Sequence, residues 1–128
     1  MATVLVVDDE RQILTLLSRM LRREHTVITA ESGIEALAIY ESYSDRIDLV
    51  ITDVTMPGMT GLELVARLEA LYPRPLPIIF ITGFSELPIE PGRTVVPKPF
   101  SPAVLNDAID RVLRTSANPR RPPKTGQY

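Results

Sequence analysis

Continuous apolar runs and apolar stripes at helical spacing take turns along this chain. "TVLVV" at 3–7 is an unbroken run of β-branched residues and leucine, the pattern of a strand buried on both faces. After it, Ile13, Leu16, Leu17, Met20 and Leu21 recur at three and four, which predicts a helix with that stripe turned to a core. "TVITA" at 26–30 reads as a second strand, and Ser32 is placed to cap a helix whose inward face is Ile34, Leu37 and Ala38. "IDLVIT" at 47–52 predicts a third buried strand. A glycine-containing turn at 57–61 follows, then a helix with Leu64, Val65, Leu68 and Tyr72 on one side. "LPIIFIT" at 76–82 is the fourth strand and "TVV" at 94–96 a short fifth. Leu105, Ala108, Ile109 and Val112 mark a last helix.

Strands that alternate with helices pair in parallel through right-handed crossovers, with helices on both faces of the sheet. The expected fold is therefore α/β, a doubly wound five-stranded parallel sheet in the flavodoxin-like order 2-1-3-4-5. One connection breaks the rhythm. "GFSELPIEPGR" between strands four and five holds Pro88, Pro91 and Gly92, so the fourth helix is expected to be short or absent, at most a turn between Ser85 and Glu90.

Composition narrows the function. The chain has 128 residues with no cysteine, which excludes a disulfide framework and a thiolate metal site. No apolar run approaches a membrane span and no signal peptide is visible, so a cytoplasmic protein without membrane contact is expected. The net charge of −2 hides an uneven split. Arg114, Arg120, Arg121 and Lys124 give residues 114–128 four basic side chains and no acid, leaving ten basic against sixteen acidic side chains in residues 1–113. An acidic body argues against a nucleic-acid-binding domain. The expected organisation is one domain over 1–113 and a flexible, basic, proline-rich tail over 114–128.

In sheets of this kind the functional crevice lies at the carboxyl ends of the strands, beside the switch in strand order. There the sequence places Asp8 and Asp9 after strand one, Asp53 after strand three, Thr82 after strand four and Lys98 after strand five. Three neighbouring carboxylates do not all stay ionised unless a cation holds them, and hard oxygen ligands suit Mg²⁺. Lys98 sits between Pro97 and Pro99, whose rings fix the backbone and aim the ammonium at an anion bound beside the acids. Simpler readings stand beside these. Asp8 and Asp9 could cap the first helix, Asp53 could serve the turn before "MPG", and the Thr82 hydroxyl could bond backbone. His25, the one histidine, is expected at the surface or in a turn, and Met56 and Met59 in packing.

The segments "VLVVDDE", "DLVITDVTMPGMTG", "IFITG" and "VPKPF" occur in order at these strand ends, and the chain over about residues 3–113 resembles the receiver domain of bacterial two-component response regulators. The resemblance implies that Asp53 accepts a phosphoryl group from a sensor histidine kinase or phosphotransfer protein. It implies that Asp8, Asp9, Asp53 and the backbone carbonyl of Thr55 hold Mg²⁺, that Thr82 and Lys98 contact phosphoryl oxygens, and that the Lys98–Pro99 bond is cis. The protein would then be a signalling switch acting through contact with an unknown downstream protein, helping only its own phosphorylation and dephosphorylation. The initiator Met1 close to the first strand favours a free-standing protein; a receiver portion of a hybrid histidine kinase is the alternative. A Mg²⁺-dependent phosphohydrolase with an aspartyl-phosphate intermediate would want an aspartate where Thr55 stands.

Two departures from the family pattern carry expectations of their own. The residues flanking the path of attacking water are Thr55 and Phe84, neither a general base, so slow self-dephosphorylation is expected. The switch aromatic three residues before the lysine is replaced by Val95, so the signal is expected to leave through ordering or shifting of residues 83–93. "PIIFITGF" also partly resembles a receiver subgroup with a Phe-Ala-Thr-Gly motif, with Ile81 in place of the alanine.

Overall fold

The apolar runs become five parallel strands: β1 (Thr3–Val7), β2 (Thr26–Ala30), β3 (Leu49–Asp53), β4 (Ile78–Thr82) and β5 (Thr94–Pro97). The computed structural model describes residues 2–83 and 88–115. The strands lie in the order β2-β1-β3-β4-β5, the doubly wound arrangement the sequence predicts. Four helices connect and flank them: α1 (Arg11–Leu21), α2 (Gly33–Tyr43), α3 (Gly61–Leu71) and α4 (Pro102–Thr115). Among the described residues no helix lies between β4 and β5, where proline and glycine argue against one. Residues 84–87 of that connection, and 116–128 of the expected tail, fall outside the described residues. No described helix is long and apolar enough to cross a membrane.

Period-two alternation sorts the strand side chains into two cores, one on each face of the sheet. Leu5, Val7, Val50 and Phe80 face α2 and α3 and meet Ala36, Tyr40, Leu64, Val65 and Leu68. Val4, Val6, Ile51, Ile79 and Val96 face the other way and meet Leu14, Leu17 and Leu21 of α1 and Leu105, Ala108 and Ile109 of α4. Capping fixes where two helices begin. The Ser32 hydroxyl accepts the Glu35 N–H at 3.1 Å, as expected, while Thr60 and Glu63 exchange bonds of 3.1 and 2.9 Å in a capping box.

Two helix faces, those of α1 and α2, differ from the sequence reading. In α1 the inward stripe is Leu14, Leu17, Ser18 and Leu21, and Leu16 is exposed. Leucine and isoleucine occupy so much of that helix that two stripes sharing Leu17 and Leu21 fit the spacing. In α2 the inward residues are Gly33, Ala36 and Tyr40; Ile34 is 70% exposed, Ala38 is exposed and Leu37 is half-buried. Gly33 decides this rotation, because a Cβ there would lie 2.7 Å from the sulfur of Met59. Only a bare backbone fits under that methionine.

Two strands also begin later than expected. β3 starts at Leu49, although Asp48 already exchanges bonds of 2.8 Å with the Thr3 main chain through its N–H and its carboxylate. β4 starts at Ile78 because Pro77 has no N–H to give, and its carbonyl accepts from Val50 N at 3.0 Å. His25 is buried rather than at the surface, its Nδ1 accepting the Ala2 N–H at 3.1 Å. Burial, together with the nearby amino terminus, holds its pKa below the ordinary value, consistent with a neutral, structural imidazole.

Candidate functional site

β1 and β3 are central strands, so the residues that end them emerge from the middle of the sheet's carboxyl edge. Asp8 follows β1 and is 1% exposed; Asp53 is the last residue of β3 and is 8% exposed; Asp9, next to Asp8 in the chain, is open to solvent. One carboxylate oxygen from each of the three lies within 4.8 Å of the others. Lys98, just past β5, is tied into the ladder by its N–H, which donates to the Thr82 carbonyl at 2.8 Å. Its Nζ reaches back over the edge to 3.4 Å from Asp8 Oδ2, 3.6 Å from Asp53 Oδ1 and 3.9 Å from Glu10 Oε1. The Lys98–Pro99 bond is cis, in agreement with the family pattern.

The simpler readings of the acids do not match this geometry. α1 has Glu10 at its N-cap position with no side-chain cap, so neither Asp8 nor Asp9 serves as one. Asp8 Oδ1 instead accepts the Glu10 N–H at 2.8 Å, which braces the carboxylate and leaves Oδ2 toward Lys98. Asp53 belongs to the strand itself rather than to the turn beyond it. Thr82 is half-buried at the end of β4, beside Asp53's strand, and Thr55 is exposed in the loop beyond β3.

Second-row contacts hold Asp53 in place. The Thr52 hydroxyl, fully buried, donates to the Asp53 carbonyl at 3.0 Å. Gly61, the first residue of α3, lies against that same carbonyl so closely that a Cβ would collide with it, and its N–H donates to Val54 O at 2.8 Å. The loop from 54 to 60 is nailed down by Val54, Met56 and Met59, all buried, as expected for the methionines. Gly58, at φ 80, makes the left-handed turn that lets it double back. Sequence reasoning did not single out Thr52, Gly61 or Glu10. For Glu10 the signal was present in the run "DDE"; for the other two only the close approach of α3 reveals the role.

Burial and crowding leave a clear electrostatic signature. Asp53 is pushed up to about 6, by burial first and then by the charge of Asp8, with Lys98 pulling the other way. Burial also raises Asp8 above the ordinary carboxylate value, against the Glu10 N–H bond and Lys98. Lys98 loses some charge preference to burial, but Asp8 and Asp53 together hold its pKa above that of a free lysine. One ammonium thus faces the carboxylates of Asp8, Glu10 and Asp53, with Asp9 close to two of them, and negative charge is left uncompensated. Hard oxygen donors, converging on an open edge with surplus negative charge, suit a divalent cation such as Mg²⁺.

Comparison with known proteins agrees. Residues 4–110 match the family described as the response regulator receiver domain. The sensor kinase CckA of Brucella abortus is 37% identical over 119 residues, covering 88% of this chain but only 12% of that protein. The transcriptional regulatory protein GlrR of Escherichia coli is 35% identical over 123 residues, 91% of this chain and 27% of its own length. The chain therefore spans about a quarter or less of these two relatives. A response regulator receiver domain protein from Clostridium thermocellum, solved by crystallography, superposes with a TM-score of 0.82 at 30% identity, covering 90% of this chain and 96% of that one. With the fold, the carboxylate cluster and these likenesses in agreement, the chain belongs to the response regulator receiver domain family of two-component systems.

Proposed function

We propose that this domain is a phosphorylation-controlled switch in which Asp53 accepts a phosphoryl group from the phosphohistidine of a histidine kinase or phosphotransfer protein. The observation that carries the reading is Asp53 at a strand end with Asp8, Asp9 and Lys98 gathered round it. A carboxylate oxygen of Asp53 attacks phosphorus in line. The P–N bond breaks, its electron pair stays on the imidazole nitrogen, and an aspartyl phosphate forms. Lys98 turns from Asp8 and Asp53 to the phosphoryl oxygens, and Thr82 offers its hydroxyl to another. Asp8, Asp9, Asp53 and the Thr55 carbonyl would hold Mg²⁺, which offsets charge on the oxygens of the group in transfer. The receiver runs through the end of α4 at Thr115, two residues past the boundary expected at 113, and the basic segment after it is read as a tail, with output through contact with a further protein. A second reading, the receiver portion of a hybrid kinase, is supported by the likeness to a sensor kinase.

The test is a fluorescence or ¹⁵N-shift titration with beryllofluoride, with and without Mg²⁺. The proposal expects a saturable change only when both are present, and none in Asp53→Asn. Equal response of Asp53→Asn would remove the assignment.

A further inference from the structure

The two edges of the sheet are finished differently. β5 is short, ends in Pro97 and is followed by Lys98, devices that discourage a further strand. β2 is the other edge, and its sequence TVITA has no charge, no proline and no glycine. Thr26 N–H donates to Ala2 O at 2.9 Å, and Ala30 O accepts from Asp8 N–H at 3.2 Å. In a parallel ladder alternate residues face the same neighbour, so Thr26, Ile28 and Ala30 turn their backbone groups to β1. Val27 and Thr29 therefore turn theirs outward, where no strand lies beside them among the described residues.

Along the same edge runs a groove of about 490 Å³ between β2 and α1, with Val27 and Thr29 on one wall and Arg11, Arg19 and Arg22 on the other. From Arg11 to Arg23 the chain carries four arginines and no acid, although residues 1–113 are acidic as a whole. Arg11 pairs with Glu31 at 3.3 Å at one end of the groove. Arg19 and Arg22 are exposed, and no described carboxylate pairs with either. The lengths match. Arg11 to Arg22 spans about 16 Å along a helix, and five strand residues span about 17 Å.

We propose that the β2 edge and the arginine row of α1 form a docking site for an extended acidic segment of a partner protein, which adds to the sheet as a sixth strand. Main-chain bonds to Val27 and Thr29 supply the pairing, and alternate side chains select the partner. On the α1 side, acidic residues at every second position meet Arg19 and Arg22; on the α2 side, intervening apolar residues meet half-buried Ile28. A helical partner cannot satisfy the outward N–H and C=O groups of the edge, and a basic one is repelled by the arginines.

The probe is a fluorescein-labelled peptide of alternating glutamate and valine, seven residues long, with a lysine–valine counterpart and a version N-methylated at alternate residues. Anisotropy at low salt is expected to show binding of the acidic peptide alone, weakened about tenfold or more by N-methylation and by Arg19→Glu with Arg22→Glu. Arg19→Gln with Arg22→Gln should fall between, which keeps the test sound if the charge reversal perturbs α1. Circular dichroism and urea unfolding serve as folding controls. The amides of Val27 and Thr29 should gain exchange protection in the complex. Absence of binding, equal binding of acidic and basic peptides, indifference to N-methylation, or indifference to the arginine changes would each overturn the proposal. Because Asp53 takes no part, these results are independent of the phosphoryl-acceptor reading.

Discussion

Lys98 and Asp8, 90 residues apart in sequence, are joined by a hydrogen-bonded ion pair of 3.4 Å. The same ammonium stands 3.6 Å from Asp53, so a single cation is divided between two buried carboxylates. Lys98→Met should therefore raise the Asp8 and Asp53 pKa values further, because burial and mutual repulsion would act without the chief counterweight at Asp53 and with only the Glu10 N–H bond left at Asp8. Carboxyl ¹³C titration without metal checks this. Phosphoryl modification of the variant should slow by about a hundredfold if Lys98 also steadies the group in transfer. Unchanged carboxylate titration would separate Lys98 from the electrostatics of the site.

Stability without metal should depend on pH through Asp53. Its pKa rises from the ordinary 3.8 to about 6 on folding, so between those values the folded state binds more protons than the unfolded one. Stability contributed by the protonated form is present at low pH and is lost as pH rises through that window, remaining lost above it. Asp53→Asn should remove this loss, stabilising the metal-free protein at pH 7 by about 1–3 kcal/mol and flattening the slope between pH 4 and 6. Mg²⁺, binding the ionised form, should recover stability at neutral pH in the wild type more than in the variant. Urea unfolding at a series of pH values decides; a wild type that gains stability from pH 4 to 6 relative to Asp53→Asn contradicts the burial argument.

Much of this was legible beforehand because strands buried on both faces write continuous apolar runs, and four of the five runs, all but that of β2, end at or just before a residue of the candidate site. Asp8, Asp53, Thr82 and Lys98 could be placed at one edge by counting strand ends. Helix rotation was harder. α1 and α2 carry apolar residues around much of their circumference, so the inward face depends on a tertiary contact such as Gly33 against Met59. Roles that rest on backbone approach, like that of Gly61, leave no mark in periodicity. Strand starts at Leu49 and Ile78 depended on ladder bonding rather than on hydrophobicity.

Gly61 offers a direct check of that backbone approach. A Cβ at this position would collide with the Asp53 carbonyl and lie 3.2 Å from the Thr52 hydroxyl, neither able to move without shifting the strand end. Gly61→Ala should cost about 2 kcal/mol or more and weaken Mg²⁺-dependent modification, whereas Gly58→Ala, in open space at φ 80, should cost about 1 kcal/mol through backbone strain alone. Chemical denaturation of the two variants compares the effects. An equal, small cost for both would mean that α3 does not press on the site.

The connection from β4 to β5 is fastened to α3. Arg93 makes a two-pronged pair with Glu69 at 2.7 and 2.9 Å and approaches Glu90 at 3.5 Å, while Ile89 packs on the core. With Val95 in place of the usual ring, ordering or shifting of residues 83–93 is the expected route for the signal, and Arg93→Ala, which loosens part of that stretch, should cost about 1 kcal/mol and speed amide exchange across 88–93. Beryllofluoride with Mg²⁺ should change protection in the same stretch. Protection that is identical in both states would move the search to the loop after β3.

Asp53 is the residue proposed to take the phosphoryl group, and this can be read directly. The measurement is incubation with acetyl phosphate and Mg²⁺, borohydride reduction of the acyl phosphate, and peptide mass spectrometry of the product. Homoserine is expected at Asp53 alone, dependent on Mg²⁺ and slowed in Asp9→Asn. Reduction at another aspartate, or an unmodified Asp53 in a folded, Mg²⁺-saturated protein, would contradict it.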